Sequence, residues 1–329
     1  MMKAIISFGL CLCLGLTNLP AQSAGYFYPE QLVVISNALN LRDMPNMNGK
    51  KLTTLTRGTV VQYLEAYHDN EYVQADTLNP NSPYGAWLKI RSGNQTGYAF
   101  STYLTGTYVL EYENDFVESL PPMQWYAVYA RDSFADELRR IVPRIEEQYN
   151  EMYGQKMKVL KTNQKETSKF IIGVLSPLTT GYCGGLGSLD MNTTYMTTFL
   201  GPGSQMGMYP GNDLNDTLMK PSYGLAATGC ARLVDNYLQV SDYQLLLLDY
   251  TTDPVFRQDL TPWVKPASPE IAPNVELLWF GDIDHDNKPD AIIQDCPYEV
   301  GCRSSLFLSS KAVSGERIHK MAEHFWPGD

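Results

Sequence analysis

Histidine and cysteine are scarce in this chain, four of the first and six of the second among 329 residues. Few groups are therefore left for imidazole catalysis or for a zinc site. No Gly-x-Ser-x-Gly elbow occurs and no His-Glu-x-x-His pair, so the signatures of the α/β-hydrolases and zinc peptidases are missing. The glycine-rich run Gly181-Tyr182-Cys183-Gly184-Gly185-Leu186-Gly187-Ser188 has no following Lys, which excludes a phosphate-binding loop. Positive charge is short as well. Lys and Arg number 25 against 36 Asp and Glu, a net charge of −11. A surface of that sign repels phosphate backbones and excludes nucleic acid as a general partner. Long apolar runs are missing too. Ala4 to Leu16 falls short of the ~20 residues that span a bilayer, and no later stretch is long enough, so no membrane span is expected. Core material is not lacking: 44% hydrophobic residues against 19% charged describe a chain that folds. The length predicts two domains.

The N-terminus reads as a secretory signal over residues 1–23. Lys3 supplies the positive start, Ala4 to Leu16 the apolar run, and Ala21-Gln22-Ser23 the small residues before cleavage. A periplasmic or secreted protein is the expectation. Cys11 and Cys13 leave with the signal. Cys183, Cys230, Cys296 and Cys302 remain, an even number that predicts disulfides in an exported chain. Local closure favours Cys296 with Cys302, and Cys183 with Cys230 would follow. A cysteine-zinc site would want closer pairs than these.

Residues 31–105 contain short strands separated by turns and no helical period. Leu32–Ile35, Leu52–Leu55, Val60–Leu64, Trp87–Arg91 and Gln95–Phe100 are the predicted strands, with turns at Gly58 and at Ser92-Gly93-Asn94. That pattern predicts a small β-barrel. Asn40-Leu41-Arg42 with Pro45, Gly58-Thr59, Trp87 with Ile90, and Gly97-Tyr98 before Ser101-Thr102-Tyr103-Leu104 give the stretch its character. On these residues it resembles the bacterial SH3 domain. Tyr98 stands where that family usually has Trp, and Glu65–Ala86 is much longer than the usual connection. The resemblance implies a binding module of the cell envelope, with a cell-wall component or an envelope protein as partner. Aromatic side chains beside a groove suit such contacts. Tyr67, Tyr72, Tyr84, Trp87 and Tyr98 are the candidate ligand-binding residues, with Trp87 also expected to serve the barrel core. The long loop is the better place for a ligand.

Residues 106–329 are expected to form an α+β domain with an antiparallel sheet, making the chain mainly β with an α+β body. Phe134, Leu138, Ile141, Ile145, Tyr149 and Met152 recur at helical spacing behind a Ser133 cap. They predict a helix to about Gly154, kinked at Pro143, with Arg144, Glu146 and Glu147 on its solvated face. Lys156–Leu160, Lys169–Leu175, Leu225–Val234 and Leu238–Tyr250 read as strands. The glycine-rich run reads as a turn anchored by a disulfide.

The last segment, 266–329, holds an aspartate-rich loop between two apolar runs. Asp282, Asp284, Asp286 and Asp290 occupy loop positions one, three, five and nine, and the Lys288 carbonyl falls at seven. Alternating carboxylates of this kind can wrap a calcium ion, which takes six to eight oxygens. Asn287 stands where a left-handed turn is needed and tolerates it after Gly. Apolar strands as flanks and Ile293 at position twelve argue against an EF-hand. Residues 277–293 resemble instead the loop of FG-GAP or VCBS-type repeats of secreted and surface proteins. Leu306-Phe307-Leu308-Ser309-Ser310 follows, as in some exported bacterial proteins with such a loop. The resemblance implies structural calcium. His285 is expected to face solvent, and His319 and His324 are too poorly spaced for a metal pair on a helix.

A papain-like site would need a Cys at a helix start beside a His, which neither Cys183 nor Cys230 provides. The reading is an exported envelope-binding protein rather than an enzyme. A peptidoglycan hydrolase with an unrecognised carboxylate pair is the alternative, since two carboxylates leave no sequence signature. A secreted effector is a third.

Overall fold

A computed structural model describes residues 27–67, 73–75, 82–117, 119–132, 135–151, 154–184, 200, 205–208, 222–234, 237–264, 274–296 and 301–327. The predicted export signal and Tyr72 lie outside the described residues. The fold is almost entirely β, with antiparallel sheets throughout.

The N-terminal barrel is built from β1 (Gln31–Val34), β2 (Ala38–Arg42), β3 (Lys51–Thr56), β4 (Val60–Ala66), β5 (Val73–Gln74), β6 (Tyr84–Gly85), β7 (Trp87–Ser92), β8 (Gln95–Phe100) and β9 (Leu104–Gly106). Seven of these form one sheet in the order β3-β2-β8-β7-β4-β1-β9, and β5 pairs with β6 inside the long connection. Alternate residues point inward. Leu32, Val34, Leu39, Leu41, Leu88, Ile90 and Ala99 fill the interior. Gly58 at φ 85° and Gly93 at φ 56° make the predicted turns.

The body follows as β10 (Tyr108–Glu111), β11 (Gln124–Asp132), β12 (Ala135–Ile141), β13 (Arg144–Asn150), β14 (Gln155–Lys161), β15 (Phe170–Val174), β16 (Gly181–Gly184), β17 (Gln205–Met208), β18 (Tyr223–Val234), β19 (Tyr237–Asp249), β20 (Phe256–Asp259), β21 (Val275–Gly281), β22 (Asp290–Asp295), β23 (Gly301–Leu308) and β24 (His319–Pro327). A nine-stranded sheet runs β10-β15-β11-β12-β16-β21-β22-β23-β24 and curls until its end strands lie side by side, a nearly closed barrel. Its strands are apolar on both faces. On β11, Tyr126 and Val128 point inward, while Trp125, Ala127 and Tyr129 point outward under the hairpin β13–β14. On β22 and β23, Ile292, Leu306 and Leu308 point inward. Ala291, Ile293 and Phe307 point outward against the four-stranded sheet β17-β18-β19-β20. Leu245 and Leu247 of the four-leucine run supply that second sheet's buried face.

The helix predicted from residue 133 does not form. Its described residues are strands β12 and β13, and Val142-Pro143 is the link between them. Pro143 lacks the N–H a helix would need and falls where the chain leaves the sheet. The three-residue spacing of Leu138 and Ile141 fits a helix seam, but pairing with β11 makes a strand and turns them to opposite faces of the sheet, Leu138 inward and Ile141 outward. Phe134 and Met152 lie outside the described residues. Arg144, Glu146 and Glu147 are solvated as expected, on β13.

The cysteines divide. Cys296 and Cys302 are bridged and close the connection from β22 to β23. Cys183 and Cys230 are free, so the predicted second disulfide is absent. Cys183 is buried on β16 inside the nine-stranded sheet, whereas Cys230 is exposed on β18 of the other sheet. Residues 181–184 of the glycine-rich run are thus a sheet strand, not a disulfide turn, and the rest of the run lies outside the described residues. Burial, with the Asp136 carboxylate beside it, pushes the Cys183 thiol up to about 12 and leaves it inert. In the chain lacking residues 1–23, a thiol reagent should therefore titrate Cys230 in the native protein and Cys183 only after denaturation. Cys230→Ser should abolish the native reaction, and a native chain with no reactive thiol would contradict this arrangement.

Candidate functional site

The aspartate loop leaves β21 at Gly281 and returns at Asp290 in β22. A side chain at Gly281 would meet the Cys183 carbonyl at 2.1 Å, so only glycine lets β16 come this close. There the Asp282 amide donates to the Cys183 carbonyl at 2.8 Å, which fixes the loop's first residue. Asp282 then caps the turn: its two carboxylate oxygens accept from the Asp286 and Asn287 amides at 3.0 and 2.9 Å. Asn287 takes φ 63°, the left-handed turn its type was expected to tolerate, and His285 takes φ 60°. Ile283 turns inward as a core residue.

Asp282, Asp284 and Asp290 converge, with one carboxylate oxygen from each within 4.8 Å of the others. Two oxygens on one calcium ion lie at most about 5.2 Å apart, twice the longest Ca–O bond, so this trio fits a shared ion. Asp284 Oδ1 is buried without a hydrogen bond, a donor set left one partner short. Burial raises the Asp284 carboxyl above its ordinary range, and the charges of Asp286 and Asp282 add to this. Burial raises Asp290 further, with Asp284 as the main repelling charge.

Asp286 is turned differently. Its Oδ1 accepts from the Lys288 amide and from Ser309 Oγ, both at 2.9 Å. Lys288 itself is exposed. His285 is half-buried rather than solvent-facing, and its Nδ1 has no hydrogen-bond partner.

The serines after β23 were not singled out as site residues from sequence. Ser309 donates to Asp290 Oδ1 from its amide at 2.8 Å and from its hydroxyl at 3.0 Å, while Ser310 Oγ bonds Asp284 Oδ2. The Ser-Ser pair in the run Leu306–Ser310 was the signal available.

On the barrel, Tyr98 points out from β8 and meets Tyr67 edge to face, ring centres 6.1 Å apart. Lys89 and Glu65 pair at 2.6 Å on the neighbouring strands β7 and β4. Tyr84 is 63% exposed at the base of the long connection, which Thr102 Oγ1 anchors through the Tyr84 carbonyl at 2.7 Å. Trp87 is buried and packs edge-on against Phe100, so it is core rather than surface. Residues 37–105 match the family model of the bacterial SH3 domain. The barrel is SH3-like. Domains of this family are modules for cell-wall or protein ligands. The match does not reach the body or the aspartate loop. No curated protein and no solved structure matches the chain. Among the described residues no helix is long and apolar enough to cross a membrane.

Ser309 serves two carboxylates with one hydroxyl. Ser309→Ala should cost about 1–3 kcal/mol in denaturant unfolding, the penalty for buried acceptors losing a donor. Ser314→Ala, in the nearby loop, is the control and should cost little.

Proposed function

We propose that the chain is an exported envelope protein whose SH3-like barrel holds a cell-wall component or an envelope protein, and whose body carries a structural calcium ion. The binding reading rests on the family match at residues 37–105, together with outward-facing Tyr67 and Tyr98 and the exposed Tyr84. Export is supported by the N-terminal run from Lys3 through Ser23. The experiment is co-sedimentation of the chain lacking residues 1–23 with purified peptidoglycan, with release of sugars and peptides followed in the same tube. Retention without turnover is expected. Tyr84→Ala should fold normally and bind roughly tenfold more weakly, as loss of an aromatic anchor commonly does. Undiminished retention of that variant would place the ligand away from the long connection, and turnover would favour a wall hydrolase.

The calcium reading is supported by the convergence of Asp282, Asp284 and Asp290 and by the unbonded Asp284 Oδ1. Asp286 and the Lys288 carbonyl are further donors the loop offers. An ion bound only by the folded state adds RT ln(1 + [L]/Kd), about 2.7 kcal/mol at a hundredfold excess over Kd. The melting midpoint should rise by several degrees in calcium over chelator, and less in magnesium, which demands a tighter octahedral shell. Asp284→Ala should remove most of that rise. Equal wild-type midpoints with calcium and with chelator would make the loop an acidic turn that binds no metal.

A further inference from the structure

The end strands of the nine-stranded sheet, β10 and β24, lie side by side, yet no backbone ladder joins their described residues. Side chains close this seam. His324 of β24 inserts between two carboxylates: Nδ1 is 3.3 Å from Glu111 Oε2 on β10, and Nε2 is 3.2 Å from Asp115 Oδ2 just beyond it. The second contact lies off the N–H direction, so it is an ion contact without a directed hydrogen bond. Each carboxylate faces a different ring nitrogen. An imidazolium presents an N–H on each side and so matches the two carboxylates.

Packing seals the cluster. Tyr112 and Trp326 meet His324 edge to face, with ring centres 4.7 Å from each other and 5.4 and 5.5 Å from the imidazole. Asp115 is held in place by the Tyr112 amide at 2.6 Å. The other groups around His324 are not charge competitors. Ser304 stands opposite it on β23. The Tyr112 hydroxyl is pushed up to about 12 by burial and stays protonated. The neighbouring Glu323 is committed to Lys320 at 2.6 Å.

We propose that His324 is a proton-operated latch: protonated, it ties β24 to β10 and closes the body, and on losing the proton it releases the seam. Burial pulls the imidazole's affinity for a proton down, but the hydrogen bond and charge of Glu111 and the charge of Asp115 raise it by more, above the ordinary 6.5. A group raised in the folded state stabilises fully below its unfolded pKa, and that stability is lost as pH rises through the folded value. The latch is therefore shut below pH 6.5 and loosens as pH rises through the raised folded-state value.

Two measurements on the intact chain test this. The imidazole proton resonance of His324, assigned against His324→Gln, should titrate above 6.5, and Glu111→Gln should lower its midpoint. Hydrogen exchange over 319–327, corrected for intrinsic rates and referred to 87–92 in the barrel, should lose protection as pH rises from 6.5 through the midpoint measured for His324. The loss should be roughly tenfold for each unit by which the midpoint exceeds 6.5. His324→Gln should show no such pH dependence, although it keeps His319 on the same strand. A midpoint at or below 6.5, or an equal loss of protection in the Gln variant, overturns the proposal. Should His324→Gln fail to fold, an unchanged exchange profile in Glu111→Gln overturns it equally.

Discussion

A single buried carboxylate fixes the joint between β16 and β21, where the first and last runs of the body's sheet meet. Only one residue pair, Gly184 opposite Gly281, and the Asp282 amide bond to Cys183 cross that edge, which is too little backbone to hold a sheet together. Asp136 on β12 supplies the rest. It is almost wholly buried, takes Lys169 Nζ at 2.7 Å from the residue before β15, and accepts from Trp279 Nε1 of β21 at 3.0 Å. An unpaired charge there would be prohibitively costly, so three strands are fixed in one arrangement by the need to satisfy it. Trp279 also places its ring edge-on to Phe170, and Gly281 follows two residues later. The geometry of the aspartate loop is inherited from this joint.

The same rule governs the other buried acids of a chain rich in negative charge. Asp249 binds Arg317 at 2.6 Å and the amide of Thr251 at 2.9 Å, and its carboxyl is lowered despite burial. Asp295 pairs with Arg303 across the β22–β23 ladder, next to the Cys296–Cys302 bridge. Each pair ties segments distant in sequence or adjacent strands. The Asp282–Asp290 loop departs from this pattern, for among the described residues its convergent carboxylates hydrogen-bond to amides and hydroxyls. That contrast gives the loop its chemical character.

Much of this was legible in the sequence because the information was local. Alternation placed five of the barrel strands within two residues but missed β2 and β9, Gly58 and Gly93 marked its turns, and Asn287 announced its left-handed backbone. Spacing alone picked out the aspartates. What failed depended on partners far along the chain. Leu138 and Ile141 carry a helical spacing, and a sheet apolar on both faces overrides it by pairing with β11 and β16. Cys183 and Cys230 look like a pair by count, but sheet membership separates them. The serines that hold Asp284 and Asp290 come from the end of a strand two turns of chain later, and His324 meets Glu111 across the whole body. No local pattern encodes contacts of that range.

The position of β24 carries a consequence for how the molecule is made. The N-terminal barrel draws every ladder from residues 31–106, so it can assemble as soon as that stretch is available. The body cannot. Its first strand, at residues 108–111, ladders with 170–174, but the side-chain seam on its other edge closes only when 319–327 arrives. Until then, the inward apolar row beside that seam lacks its cover. Contacts of such sequence separation form late and slowly. The barrel can thus fold ahead of the body, and a body still lacking its last strand would be open to aggregation and to proteases.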